Sequence, residues 1–125
     1  MSETVHISQK AKEQLIWLKR QTGIRQWNIL CRWAFCISVA DMTPLDGVDS
    51  AADSNVDIPW KTFAGAHSAI YRALIAEWQR RVDPEGADDT AECVRKHVHR
   101  GVQRMMLAKD QSVGGLVRLG AGSAS

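Results

Sequence analysis

The sequence predicts an all-α fold: a single small domain of about four main helices, with a short N-terminal strand or arm, that forms oligomers. Three observations carry that prediction. Apolar residues recur at the helical period in several separate stretches. Those stretches begin at capping residues and end at glycine or at a Pro/Gly turn. The chain has 125 residues, 45% hydrophobic and 24% charged, enough to bury one core without disulfide or metal staples. That composition excludes a wholly disordered chain. Three cysteines are too few for a disulfide scaffold and fit a reducing cytosol. Neither a bilayer-spanning run nor a secretory leader is visible, so a cytoplasmic location and no membrane partner are expected.

Val5 and Ile7 alternate with Thr4, His6 and Ser8, the pattern of one short strand or an extended arm. Ser8 is a natural N-cap. The helix after it runs to about Thr22, with Ala11, Leu15, Leu18 and Thr22 on one stripe and Gly23 as its stop. Ile16 and Trp17 fall off that stripe and require cover, for which a second subunit is a candidate. Asn28 can cap the next helix. Residues 29–40 are apolar almost all round, so this helix is expected to be the most buried and to lie near an oligomer interface. Arg32 is its one charge and must snorkel or pair. Residues 41–60 are rich in Asp, Gly, Pro and Ser and read as an acidic loop, mobile in its first half. The helical period returns over about 61–82, with Phe63, His67, Ile70, Tyr71, Leu74, Trp78 and Val82 as a broad apolar face. After a turn at 83–86, Asp88 or Asp89 caps a last helix to about Ala108. Its core stripe is Ala91, Val94, Val98, Val102 and Met105. One domain thus spans 1–119 and closes with a weak apolar turn at 116–119. A flexible tail, 120–125, follows.

Net charge is +2, divided as +4 over residues 1–40, −5 over 41–60 and +3 over 61–125. A basic body with one acidic segment permits a nucleic-acid partner. Other chemistries find little support. Cys31, Cys36 and Cys93 lack any paired Cys/His spacing and are expected to be small buried hydrophobes that bind no metal and carry no sulfur. His97 and His99 are two apart on a helix, so they point to different faces and cannot form a zinc pair. His67, on an apolar stripe, is expected in the core. The five loop aspartates do not follow the calcium-loop pattern. With no phosphate loop and no visible nucleophile arrangement, no catalytic residue, metal or cofactor is expected, and the chain is not expected to be an enzyme.

The cations remain. Lys12 and Lys19 share one flank of the first helix, Lys10 and Arg20 add to its exposed side, and Arg25 follows the turn. Lys96, Arg100 and Arg104, spaced i, i+4, i+8, form a row on the last helix, opposite its core stripe. Long cations on rigid elements suit phosphate binding. An ordinary solvated face, with Glu13 and Glu92 as partial partners, accounts for the same spacing.

The stretch from Val5 through Ala11, Lys19 and Gly23 to Ile24, then Asn28 to Ser38, resembles the DndE family of bacterial DNA phosphorothioation systems. So do the blocks at 53–65 and 97–102. The resemblance implies a small, mainly helical accessory protein of the machinery that replaces a non-bridging phosphate oxygen with sulfur. It implies binding to double-stranded DNA with preference for a nicked duplex, as a homo-oligomer of four copies. It also implies a cysteine desulfurase, a sulfotransfer protein and an ATPase as partners. It brings no catalytic set, and the eight cations named above come from spacing alone. Two further readings stay open. A ribbon-helix-helix regulator would share the order strand, helix, Gly23, helix, with Thr4, His6 and Ser8 as base readers. A purely structural subunit would bridge the other modification proteins.

Overall fold

Ser8 starts a helix for the reason its residue type suggests: its Oγ accepts from the Ala11 N–H at 3.0 Å. Gly23 ends that helix in the left-handed conformation, φ 77°, with its N–H on the Lys19 carbonyl. A computed structural model describes residues 4–86, 89–108, 111–112 and 114–117. Its elements are β1 (Thr4–His6), α1 (Gln9–Thr22), α2 (Trp27–Val39), β2 (Asp57–Pro59), α3 (Trp60–Ala64), α4 (Ser68–Val82) and α5 (Thr90–Leu107). A 3-10 turn, Gly65–His67, joins α3 to α4. No helix among the described residues is long and apolar enough to cross a membrane.

The fold is mostly helical, but it is not all-α. β1 pairs antiparallel with β2 in the register Thr4↔Pro59, Val5↔Ile58 and His6↔Asp57. Val5 and Ile58 turn to the core from this ribbon. Pro59, which has no N–H to give, sits at its end. The second strand lies inside the segment expected to be loop. The first half of that segment is anchored too, since Leu45 is buried in the core.

The expected helix over 61–82 is interrupted. Gly65 adopts φ 57°, ψ −135°, and a side chain there would also meet Arg32 Nη2 at 3.0 Å. The break rotates α4 relative to α3, so its inward face is Ile75 and Trp78. Ile70 and Leu74, expected inside, are exposed. His67, expected in the core, lies exposed in the turn.

Helices α2 and α5 make the most extensive packing in the molecule. At their crossing Gly101 lies directly on the α2 backbone: a Cβ there would stand 1.8 Å from the Ala34 carbonyl oxygen. Leu30, Phe35, Val98, Val102 and Met105 fill the core around the crossing. Phe35 meets Phe63, Tyr71 and His97 edge-on at centroid distances of 5.6–5.9 Å. The α5 stripe holds at Val94, Val98, Val102 and Met105, whereas Ala91 is exposed. Asp89 caps α5 by accepting from the Glu92 N–H at 2.7 Å. Arg32 pairs as burial demands, donating to the Phe63 and Thr62 carbonyls. Cys31 and Cys93 are buried, but Cys36 is exposed, a correction to its expected burial. Its neighbours leave the outer side of α2 partly open, and burial still pushes its thiol up against the opposing bond from Tyr71. The alternative cap Asp88, the last two residues of the 116–119 turn and the 120–125 tail lie outside the described residues.

Candidate nucleic-acid interface

Helix α1 buries Ala11, Leu15 and Leu18. At 100° per residue that stripe fixes where its cations stand. Lys12 and Lys19 fall on one flank, Arg20 on the outward face and Lys10 on the opposite flank. The structure therefore separates Lys10 from Lys12.

On the first flank, the Lys12 ammonium donates to Asn55 Oδ1 at 2.6 Å. The Lys19 ammonium stands 4.8 Å from the ring centroid of Trp27, a cation–π contact. Gly23 makes this possible, because the reversal it permits brings the start of α2 back beside the end of α1. Arg25 is exposed in the connection. It lines a wide-mouthed depression of about 390 Å³ together with Trp27, Asn28, Asp57, Pro59 and Thr62. Helix α2 starts here without a side-chain cap and without an acidic residue in its first turn.

On the opposite flank, Lys10 lines a small cavity of about 40 Å³ with Asp49, His99 and Gln103. The acidic segment is fastened along this side and across the helix start. The Gln9 N–H donates to Asp53 Oδ1 at 2.8 Å, and Ser54 Oγ donates to the Ile7 carbonyl at 2.7 Å. His99 joins three pieces of chain: Nδ1 bonds the Asp49 carbonyl at 2.6 Å, and Nε2 accepts the Ser8 N–H at 3.1 Å. That pair of bonds requires a neutral ring with the proton on Nδ1. Burial holds its pKa below the ordinary value, against the raising effect of Asp49.

The row on α5 is not an exposed face. Arg100 is buried at 7% exposure. Its guanidinium donates to Ser38 Oγ and O, to Thr43 Oγ1 and O, and to the Pro44 and Asp41 carbonyls, at 2.7–3.3 Å. It closes the C-terminus of α2, supplying donors and positive charge where helix carbonyls lack partners. Arg104 ion-pairs with Asp41 at 2.6 Å. Burial pushes the Asp41 carboxyl up, but Arg104, Thr43 and Arg100 together hold it below its ordinary value. Lys96 is only 17% exposed and lies 3.7 Å from Glu92. Arg100 and Arg104 hold down the 41–44 segment, Lys96 lines a depression between that segment and α4, and none of the three joins the α1 cations. The physical reason is that α5 is packed by α1, α2, α4 and β1, which leaves it no broad solvent face.

Beneath Arg100, Ser38 Oγ also bonds His97 Nδ1 at 2.8 Å. Ser38 Oγ, which also accepts from Arg100 Nε, thus ties the imidazole to the guanidinium and leaves the other ring nitrogen, Nε2, on the far side. That nitrogen has no hydrogen-bond partner among the described residues. The Trp78 ring stands perpendicular to the imidazole at 4.6 Å between centroids. Burial, reinforced by the charges of Arg100 and Arg104, pushes the His97 pKa down to about 3.

Helical periodicity did not reveal Trp27 and Asn55. Both meet α1 cations from other elements, and only the reversal at Gly23 hints at the first contact. Among the described residues no group of three or more His, Cys, Asp or Glu is placed to hold a metal. Comparison with curated proteins and with solved structures returns no match. The family model described as DNA sulphur modification protein DndE matches residues 4–113, nearly the whole chain. The chain therefore belongs to the DndE family of DNA sulphur modification proteins.

Proposed function

We propose that this chain is a non-enzymatic DNA-binding subunit of a cytoplasmic phosphorothioation assembly. It grips the phosphate backbone of double-stranded DNA without reading sequence, and it prefers a nicked duplex. The observation that carries this reading is the α1 flank. Lys12 and Lys19 are held on a rigid helix by an amide oxygen and an aromatic ring, so neither charge is spent on a carboxylate in those contacts. Arg80 and Arg81 show the contrast, since both pair with Glu77 on the α4 surface. Arg20 and Arg25 extend the flank, and Lys10 contributes from the far side of α1. Nick preference follows from deformability, because an interrupted strand bends at lower cost. In the assembly the subunit presents DNA to the desulfurase, the sulfotransfer protein and the ATPase.

The ribbon-helix-helix alternative loses support at β1. Ser8, one of its three readers, is buried and spends its oxygen on the helix cap. His6 is bonded to Asp57, and the strand is already paired within its own chain. Measuring affinity for unrelated duplex sequences, intact and nicked, tests the reading. Equal affinity across sequences with tighter binding to the nicked forms is expected. Preference for one sequence would overturn it.

Self-association of four copies completes the proposal. Trp17, Ile70, Leu74, Leu107 and Val117 remain exposed, with Ile70 at 56% and Leu107 at 75%. Single exposed apolar residues are ordinary, but this many on a small chain favours an interface between copies. Repeating the α1 flank by symmetry multiplies phosphate contacts that one chain of charge +2 cannot supply. Light scattering is expected to give about four times 13.9 kDa. A 13.9 kDa species at micromolar concentration would contradict it.

A further inference from the structure

We propose that the depression beside Trp27 receives a single nucleotide displaced from the duplex stack at a strand break. This rests on the phosphate-binding reading of the α1 flank and adds to it a site for the break itself. The depression measures about 390 Å³, within the range of pockets that hold one small molecule (roughly 300–1,000 Å³). Its walls combine the three chemistries a nucleotide needs, and the carboxylate among them, Asp57, is bonded to His6. The indole of Trp27 and the ring of Pro59 offer flat apolar surface for a base. Asn28 and Thr62 supply hydrogen-bonding groups at the base edge. The Asn28 amide makes only a 3.4 Å contact with the Thr62 carbonyl, which leaves it a free acceptor and a second N–H. Arg25 lines the mouth, and Lys19 already sits 4.8 Å from the indole, so two cations flank the place where the attached phosphate would lie.

An amide carries both donor and acceptor, so the edge contact accepts any base, in keeping with binding that ignores sequence. An intact duplex does not fill the site, because extracting a stacked and paired base is costly. A break lowers that cost, since the terminal nucleotide is tethered on one side only. The depression therefore converts general phosphate affinity into preference for an interruption. Trp27 is half-buried and packs on the core, so its replacement must keep apolar bulk.

The test uses the full chain with labelled duplexes, intact and nicked, and the variants Trp27→Leu and Trp27→Phe. Thermal unfolding of each variant checks that it is folded. Trp27→Leu is expected to lower affinity for the nicked duplex about tenfold more than for the intact duplex, whose smaller loss reflects the support that the indole gives Lys19, and Trp27→Phe is expected to retain most of the preference. If Trp27→Leu lowers both affinities equally, or leaves the nicked-to-intact ratio unchanged, the proposal is overturned and Trp27 only supports Lys19. Equal binding of both duplexes by the unaltered protein overturns the proposal but leaves phosphate binding standing. Failure to bind either duplex at low salt overturns both.

Discussion

Gly101→Ala is expected to destabilise the protein by about 3 kcal/mol or more, enough to unfold most small domains at elevated temperature. Two effects compete. Alanine favours a helix over glycine by about 1 kcal/mol, which would stabilise α5. The new methyl group, however, would lie 1.8 Å from the Ala34 carbonyl oxygen and 2.3 Å from its carbon. Those are backbone atoms of α2, so no rotamer change relieves the overlap. The helices must separate by about an ångström, and the seam between them is the centre of the core, where close packing tolerates little. The clash wins. Urea unfolding is the measurement, with Gly86→Ala as the control. Gly86 has φ 62° and open space around it, so its replacement meets only the left-handed backbone penalty of about 1–2 kcal/mol. A loss below about 1 kcal/mol at Gly101 would show that α2 and α5 do not cross as described.

Acid is expected to weaken the protein well above the carboxylate range, through His97. Its folded pKa is about 3 and its ordinary value is 6.5. Between those values the unfolded chain holds a proton that the folded chain refuses. Stability is therefore full above about pH 6.5 and falls as the pH drops, by up to about 1.4 kcal/mol per unit, for a total of order 5 kcal/mol. His99 is also held below its ordinary value and adds loss of the same sign, since protonating Nε2 ejects the Ser8 N–H. Asp41 and Glu77, held below their ordinary 3.8 and 4.5, add loss of the same sign mainly below about pH 5, so the window from about pH 6.5 to 5 isolates the histidines. Urea midpoints across that window are expected to fall steadily. In His97→Asn, which has no group that titrates there, the slope is expected to be shallower by about 1.4 kcal/mol per pH unit. Flat stability across the window in the unaltered protein would contradict the buried neutral histidine.

What was legible in the sequence follows a physical division. Elements set by local chemistry could be read: Ser8 and Gly23 bound α1, the Asp89 cap starts α5, and Arg32 had to find partners. β1 was half visible because Val5 and Ile7 alternate, but β2 was not. Asp57-Ile-Pro59 becomes a strand only because β1 lies beside it. The break at Gly65 was hidden because one glycine within a helical period is usually tolerated, and here its unusual backbone angles end α3. The largest misreading was α5. A polar residue at i, i+4, i+8 looks like a solvent face, yet His97, His99 and Arg100 are buried and bonded to α2, the 41–49 segment and the start of α1. Buried polar residues with dedicated partners carry no periodic signature that separates them from surface ones. Of the eight candidate cations, Lys12 and Lys19 share one flank of α1, with Arg25 beyond its end beside Trp27. Arg20 faces outward and Lys10 lies on the opposite flank, while Lys96, Arg100 and Arg104 are taken up by the packing of α5.

The salt dependence of binding to intact duplex tests the account most directly, comparing the unaltered protein with the double variant Lys12→Glu, Lys19→Glu. Each phosphate contact releases counterions, so log affinity should fall with log salt at a slope of about −0.9 per contact. A steep slope is expected for the unaltered protein. The variant is expected to bind every sequence more weakly, with a slope shallower by about 1.8 for each copy engaged and thermal stability little changed. An unchanged affinity and slope in the double variant would show that the α1 flank does not touch DNA.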